Sequence, residues 1–305
     1  MLQLASPVFS KELQAIVKSK VNKTVMKLKI VRTIDSLRAQ TQLWHAAGQT
    51  CAIVPTMGAL HEGHMQLVRR AFQHADHVVV SIFVNPKQFG VTEDLSRYPR
   101  DEDNDVALLI NENVDLVFAP NPAEMYPPDF ATSVHVSGPA KAGLEDKFRP
   151  HFFDGVATIV SKLFIQSAAD CALFGEKDYQ QLQVIKRMAQ DLDLSIKIIG
   201  VETERVQSGL ALSSRNRYLT KAELVQATAI HKNLQQAAEK IRNGSKAQSA
   251  TRAAARSLTT LGFKVDYVTA RNANSLAVPQ TEAEPLRLLA AAWLGKTRLI
   301  DNIAV

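Results

Sequence analysis

The feature that most constrains the fold is a repeated exchange between two hydrophobic periods. Short apolar runs at residues 51–54, 78–84, 114–119, 171–174 and 195–201 alternate with segments at 34–44, 64–75, 101–111, 154–166 and 179–192. In the second set, apolar residues recur every three to four positions, the period of one helix face. Strand runs that do not alternate with polar residues must be buried on both sides, as in a parallel sheet covered by helices. The spacing predicts helices with apolar stripes such as Leu67, Val68, Ala71, Phe72 and Ala75, and one at 34–44 with apolar positions at 34, 37, 43 and 44 that stops at Gly48.

Beyond residue 202 the pattern changes. Residues 219–241 form one long helical stretch opened by a capping box, Thr220 with Glu223 three positions on. A second helix at 247–261 ends at Gly262, and 263–269 and 286–301 read as strands of a small sheet. The chain thus divides into residues 1–25, read as a poorly ordered extension, a sheet domain at 26–201, and a smaller α+β domain at 202–305 that closes over the site. The prolines of residues 120–139 mark a long connection of the kind that is more often functional or mobile than inert.

Net charge is +6, which by itself invites a nucleic-acid partner. Half of it sits in residues 1–25, where Lys11, Lys18, Lys20 and Lys23 face only Glu12. No basic stripe with interleaved aromatics exists elsewhere, so neither nucleic acid nor a membrane surface is an expected partner. Two cysteines, Cys51 and Cys171, exclude a disulfide framework and a four-cysteine zinc site. Each opens an apolar run and is expected to be a buried strand residue in a reducing compartment. No apolar stretch approaches the roughly 18–20 residues of a membrane span, and the N-terminus has neither a secretory apolar region nor an early arginine. The expected location is the cytoplasm.

Four motifs carry chemistry, and they fall at strand carboxyl ends, where a parallel sheet places ligands, and at the junction of the two domains. Pro55-Thr-Met-Gly-Ala-Leu-His-Glu-Gly-His64 joins the first apolar run to its helix. Gly58 and Gly63 allow close backbone approach, and His61 and His64 at a helix start can donate to phosphate oxygens; they can equally be plain helix caps. A metal reading lacks a third ligand in register. Phe174-Gly-Glu-Lys-Asp-Tyr-Gln-Gln-Leu brings Lys177, Asp178 and Gln181 to another strand end, although Lys177 can be a solvated loop residue. Leu212-Ser-Ser-Arg-Asn offers two hydroxyls and a bidentate arginine, or a polar turn. Ser81-Ile-Phe-Val-Asn-Pro-Lys-Gln-Phe supplies Asn85 and Gln88, neutral amides suited to a small hydroxy acid. An absence of basic neighbours beside Gln88 and Gln181 favours a small monoanion over a phosphorylated acceptor. Residues 98–105 hold enough carboxylate for magnesium, or an acidic helix start.

Together these motifs resemble the pantothenate synthetase (pantoate–β-alanine ligase) family, from Met26 to Val305. The His-x-Gly-His element is similar to the signature of the HIGH-motif nucleotidylyltransferases. The resemblance implies a Rossmann-like doubly wound α/β fold with a second, smaller α+β domain, and a homodimer. It implies ATP-dependent condensation of (R)-pantoate with β-alanine through pantoyl adenylate, releasing pyrophosphate and AMP. Carried over, Met57, Gly58, Ala59, Leu60, His61, Glu62, Gly63 and His64 would contact ATP, as would Gly175, Glu176, Lys177, Asp178, Glu204, Leu212, Ser213, Ser214 and Arg215. His64 would be the proton donor, and Lys177, Ser213, Ser214 and Arg215 would hold the β- and γ-phosphates. Gln88, Gln181 and Asn85 would bind the substrates, and Asp105 would place Mg²⁺. Three positions depart from the family pattern: Phe152 stands for a histidine, Asp146 for a glycine, and Glu204 for an apolar residue. Met26 resembles the usual start, so residues 1–25 read as an added arm or an upstream translation start.

Overall fold

The computed structural model describes residues 28–305 apart from 91–94, 96–97 and 282. The extension expected at residues 1–25 lies outside the described residues. The first part of the chain alternates strand and helix: β1 (Lys29–Val31), α1 (Ile34–Ala46), β2 (Cys51–Thr56), α2 (Glu62–Ala71), β3 (His77–Ile82), α3 (Glu102–Asn111), β4 (Leu116–Phe118), α4 (Phe152–Ser167), β5 (Cys171–Gly175), α5 (Tyr179–Asp191) and β6 (Lys197–Val201). The six strands form one parallel sheet in the order β1-β4-β3-β2-β5-β6.

Strand period explains how both faces are covered. Cys51 and Ile53 point into a core built with α1, α4 and α5. Ala52 and Val54, one residue out of phase, point into a second core with α2 and α3. Each fully buried aliphatic side chain contributes about 1.5–3 kcal/mol, so strands apolar at every position are stabilised twice, once per face. Both cysteines are free and buried, as their apolar surroundings led us to expect.

Three expectations need correction, and one strand went unread. The buried stripe of α1 runs through Leu37, Thr41 and Trp44, and Leu43 points to solvent; a 4-then-3 step keeps Thr41 on the inner face. β1 escapes the hydrophobic pattern because only Val31 of its three residues is buried. The stretch at 219–241 is two helices, α6 (Lys221–Ala227) and α7 (Ala229–Arg242). Its capping box forms as expected, but at the break Thr228 Oγ1 donates to the Val225 carbonyl at 2.8 Å, a side-chain bond that competes with helix propagation. After α8 (Ala247–Thr260), a three-stranded antiparallel sheet follows with β7 (Lys264–Asn272), β8 (Leu286–Leu294) and β9 (Thr297–Ala304). The apolar run at 286–301 is therefore a hairpin that turns at Gly295, where φ is +55°.

α4 sets the floor of the later site by an unusually close approach. An alanine Cβ at Gly155 would lie 2.3 Å from the Lys87 carbonyl oxygen and 2.7 Å from the Gln88 nitrogen. Both neighbours are backbone, so neither can swing aside. Gly155→Ala is expected to cost at least about 1–3 kcal/mol, read as a lower urea midpoint at unchanged slope. An unchanged midpoint would show that α4 does not rest directly on the 86–88 turn.

Candidate functional site

In this sheet the chain steps from β2 to β3 and β4 on one side and from β5 to β6 on the other, so the order reverses between the carboxyl ends of β2 and β5, the place where open α/β sheets bind ligands. A cleft opens there with two joined lobes. One is lined by His61, Gly63, His64, Gly175, Lys177, Glu202, Thr203, Glu204, Leu212, Ser213, Ser214 and Arg215. The other is lined by Phe83, Asn85, Gln88, Arg149, Phe152, Val156, Ile159 and Leu163. Met57, His64, Tyr98, Asp178, Gln181 and Arg215 line both.

The first lobe begins with a strained turn. Gly58 and Ala59 are both left-handed, with φ of +76° and +52°. Asp105, reaching in from α3, holds this turn by accepting from the Ala59 amide at 2.9 Å and the Leu60 amide at 2.7 Å. Burial holds its carboxyl above the usual carboxylate value, against the pull of the two amides. A Cβ at residue 58 would sit 2.8 Å from Asp105 Oδ2. The sequence suggested Asp105 as a magnesium ligand. Its two oxygens instead face the loop amides, and it lines neither lobe, so its placement does not fit a metal in the cleft. Among the described residues, the metal-compatible side chains that converge are His45, Cys51 and Asp170, near the amino ends of β2 and β5. There the Asp170 carboxylate pairs with His45 and accepts the Cys51 amide, and burial pushes the Cys51 thiol up to about 12.

His61 and His64 are helix caps and cleft residues at once. His61 Nδ1 accepts from the Gly63 amide at 3.1 Å, and His64 Nδ1 accepts from the His61 amide at 3.2 Å. Acceptance at Nδ1 places the proton of each neutral ring on Nε2. Burial, with the Lys177 charge, lowers the His61 imidazole to about 4. Burial, then His61 and Lys177, lower His64 to about 3. Both rings are thus neutral hydrogen-bond donors at neutral pH.

Lys177 sits in a 3-10 turn, Glu176–Asp178, directly after β5, with its Nζ 3.7 Å from Asp178. The Ser-Ser-Arg motif ends a hairpin closed by an Arg205–Ala211 bridge and by the Leu212 amide donating to the Glu204 carbonyl at 2.9 Å. That bond uses one of the two lone pairs on the Glu204 carbonyl and leaves the other open toward the cleft that residue 204 lines. Ser213 Oγ caps the next turn by accepting from the Arg215 amide. Here too the capping and ligand readings coexist, because the cap sets the direction of Ser214 and Arg215. Met57, Gly63, Gly175 and Leu212 line this lobe, whereas Gly58, Ala59 and Leu60 are buried behind it and Glu62 and Glu176 do not line it.

In the second lobe, Asn85 has no capacity left for substrate. Its Nδ2 donates to Gln88 Oε1 and the Gly155 carbonyl, and its Oδ1 accepts from Tyr126 OH at 2.8 Å and the Lys87 amide. It aims Gln88 instead. The expected absence of basic neighbours is also corrected: Arg149 and Arg215 line the lobe with Gln88 and Gln181. Arg149 lies 3.7 Å over the Phe152 ring and donates to the Gln88 carbonyl. Phe152 therefore keeps a structural task where the family has a histidine. Asp146 replaces a glycine by accepting from the Gly143 and Leu144 amides and from Gln180, so it caps the turn it occupies.

Sequence reasoning missed Tyr98, Arg149 and Thr203. Tyr98 is hydrogen-bonded to Ser214 and stands where the lobes meet. The Thr203 hydroxyl is buried at the cleft without a partner among the described residues. The available signal was position: Tyr98 and Thr203 follow the carboxyl ends of β3 and β6.

The model of the family described as pantoate-beta-alanine ligase matches residues 29–304. Among curated relatives, the pantothenate synthetase of Caulobacter vibrioides is 54% identical over 281 residues, covering 90% of this chain and 98% of the relative. That of Bradyrhizobium sp. strain BTAi1 is 51% identical over 278 residues, covering 91% and 98%. Among solved structures, pantothenate synthetase from Thermus thermophilus superposes with a TM-score of 0.85 at 42% identity, covering 90% of this chain and 99% of that one. The Francisella tularensis pantoate-beta-alanine ligase, solved with beta-gamma ATP and beta-alanine, gives 0.75 at 33% identity, covering 91% and 98%. Matching almost end to end at such identity, the chain belongs to the pantoate–beta-alanine ligase family.

Proposed function

We propose that the two lobes divide the labour of the family reaction, ATP in the first and pantoate in the second, with the α-phosphorus at their junction. The chain is a ligase that condenses (R)-pantoate with β-alanine at the expense of ATP. A carboxylate is a poor acyl donor, so the reaction goes through a mixed anhydride. Pantoate oxygen attacks the α-phosphorus, pyrophosphate leaves, and pantoyl adenylate forms. The amine of β-alanine then attacks the acyl carbon, loses a proton, and expels AMP.

The reading is carried by one observation: His64, Lys177, Ser213, Ser214 and Arg215 line a single lobe, and that lobe shares a wall with Gln88's. The neutral Nε2–H groups of His61 and His64 donate to phosphate oxygens, and Lys177 and Arg215 balance the charge that grows on departing pyrophosphate. Ser213 and Ser214 supply hydroxyl donors. Gln88 and Gln181 take the pantoate hydroxyls, Arg149 or Arg215 its carboxylate, and Val156, Ile159 and Leu163 its branched carbon body. Mg²⁺ enters as part of the Mg-ATP substrate and offsets triphosphate charge. The homodimer and cytoplasmic location implied by the resemblance belong to the same proposal; among the described residues, no helix is long and apolar enough to cross a membrane.

Pantoate with Mg-ATP alone is expected to release pyrophosphate in a single turnover, and AMP should accumulate with pantothenate once β-alanine is added. Formation of ADP and phosphate, or turnover without pantoate, would overturn the adenylate route.

The lowered imidazoles also set a pH dependence. A histidine at its ordinary value near 6.5 would begin to protonate below neutrality. With His61 at about 4 and His64 at about 3, both stay neutral in the free enzyme down to roughly pH 5. The ratio kcat/KM for ATP should therefore show no inflection from these groups between about pH 5 and 7. Bound triphosphate favours the charged rings, so proton uptake on ATP binding should grow as pH falls. An inflection near 6.5 that vanishes in His64→Gln would refute this.

Asp105→Asn turns a donor toward the loop amides and should raise KM for ATP. The magnesium concentration for half-maximal rate should not move. A large increase in it would restore a metal role to Asp105.

A further inference from the structure

The two loops assigned to the β- and γ-phosphates come from distant parts of the chain, yet both are gripped by consecutive residues of β9. Side chains alternate along a strand, so neighbours face opposite ways. Asn302 is buried, and its Nδ2 donates to the carbonyls of Glu176 and Lys177, both at 2.9 Å. Its Oδ1 accepts from Arg287 Nε at 2.6 Å, and Arg287 in turn donates to the Glu176 carboxylate at 3.0 Å. Asp301, also buried, takes Arg205 through two parallel bonds of 2.7 and 2.8 Å. Arg205 further donates to the Gly209 carbonyl, closing the hairpin that ends in Ser213, Ser214 and Arg215.

We propose that Asp301 and Asn302 are positioning residues that hold the Lys177 turn and the Ser213–Arg215 segment at the separation a triphosphate requires. Neither acts on substrate directly; each acts through the loop it tethers. Because β9 is bonded along its length to β8, the spacing of the two loops is inherited from one strand and not from either loop. Small misplacement of charge-stabilising groups costs rate steeply. The proposal rests on the phosphate assignment of Lys177 and Ser213–Arg215, and it predicts a selective defect. Pyrophosphate leaves during adenylation, so adenylation needs both loops in register. The attack of β-alanine on pantoyl adenylate expels AMP and involves no β- or γ-phosphate.

The test uses the full-length enzyme and two half-reactions: pyrophosphate release from pantoate and Mg-ATP in a single turnover, and pantothenate formation from supplied pantoyl adenylate and β-alanine. Asn302→Asp keeps the size but replaces two donors with a carboxylate facing two carbonyls. Asn302→Ser shortens the reach without adding charge, and Asp301→Asn weakens the grip on Arg205; these two carry the comparison if Asn302→Asp does not fold. Each should slow adenylation about 10- to 100-fold, the scale of leaving buried polar groups unpaired, with the second half-reaction nearly unchanged. In a Lys177→Ala background, Asn302→Ser should add little, because its effect passes through Lys177.

Equal losses in both half-reactions, or a full additional loss in the Lys177→Ala background, would reduce the pair to ordinary stabilising residues. If Lys177→Ala slows adenylation while all three β9 variants match the parent enzyme, the tether alone is wrong. If Lys177→Ala leaves adenylation intact, the phosphate assignment itself fails.

Discussion

The site depends on β2, which is hydrogen-bonded on both edges and buried on both faces. A strand so placed has no freedom to slide, since a one-residue shift would exchange the side chains of its two cores. Its carboxyl end therefore delivers Met57 to His64 to a fixed point between β3 and β5. The left-handed turn at Gly58 and Ala59 then redirects the chain into α2. That turn is strained, and the buried Asp105 carboxylate offsets the strain by accepting two amides that would otherwise be orphaned. The first cleft-lining loop is thus held from behind by α3, an element that does not touch the cleft.

Several residues here do two jobs without compromise, because imidazole and hydroxyl groups have more than one polar atom or lone pair. His61 and His64 spend Nδ1 on capping α2 and keep Nε2–H for the cleft. Ser213 caps a turn and orients its neighbours. Burial near Lys177 keeps the imidazoles neutral, which suits hydrogen-bond donation to an anion better than an unpaired buried charge would. The three departures from the family pattern are absorbed by similar local arrangements. Asp146 becomes a cap, Phe152 becomes a platform for Arg149, and Glu204 keeps a backbone bond that does not depend on its side chain.

Much of the fold was legible because burial on two faces writes a continuous apolar run into each central strand, while the helices carry a one-sided stripe. β1 was not legible, being three residues with one buried side chain. The break at Thr228 was hidden because a single hydroxyl-to-carbonyl bond leaves the apolar period on either side intact. In the site, the four motifs were visible because each combines glycine or proline with chemically capable side chains in a short stretch. Asn85 was misjudged because its saturation comes from Tyr126 and Gly155, 41 and 70 positions away. Arg149 was overlooked as a lining residue for the converse reason, being near Gln88 in space but 61 positions away in sequence.

By itself the sequence determined the parallel, doubly covered sheet, the identity of the loops that line the cleft, and the residues whose chemistry suits phosphate. These are local or periodic properties, and the chain carries them wherever it goes. Only the tertiary structure decided how those residues share their polar atoms: that both Asp105 oxygens hold a turn, that Asn85 serves Gln88, and that Asp301 and Asn302 tie the Lys177 turn and the Ser213–Arg215 hairpin to one strand. Hydrogen-bond capacity is small and is consumed by whichever groups lie within about 3 Å. Which groups those are depends on contacts between residues 41 to 126 positions apart, and no spacing within a motif encodes them.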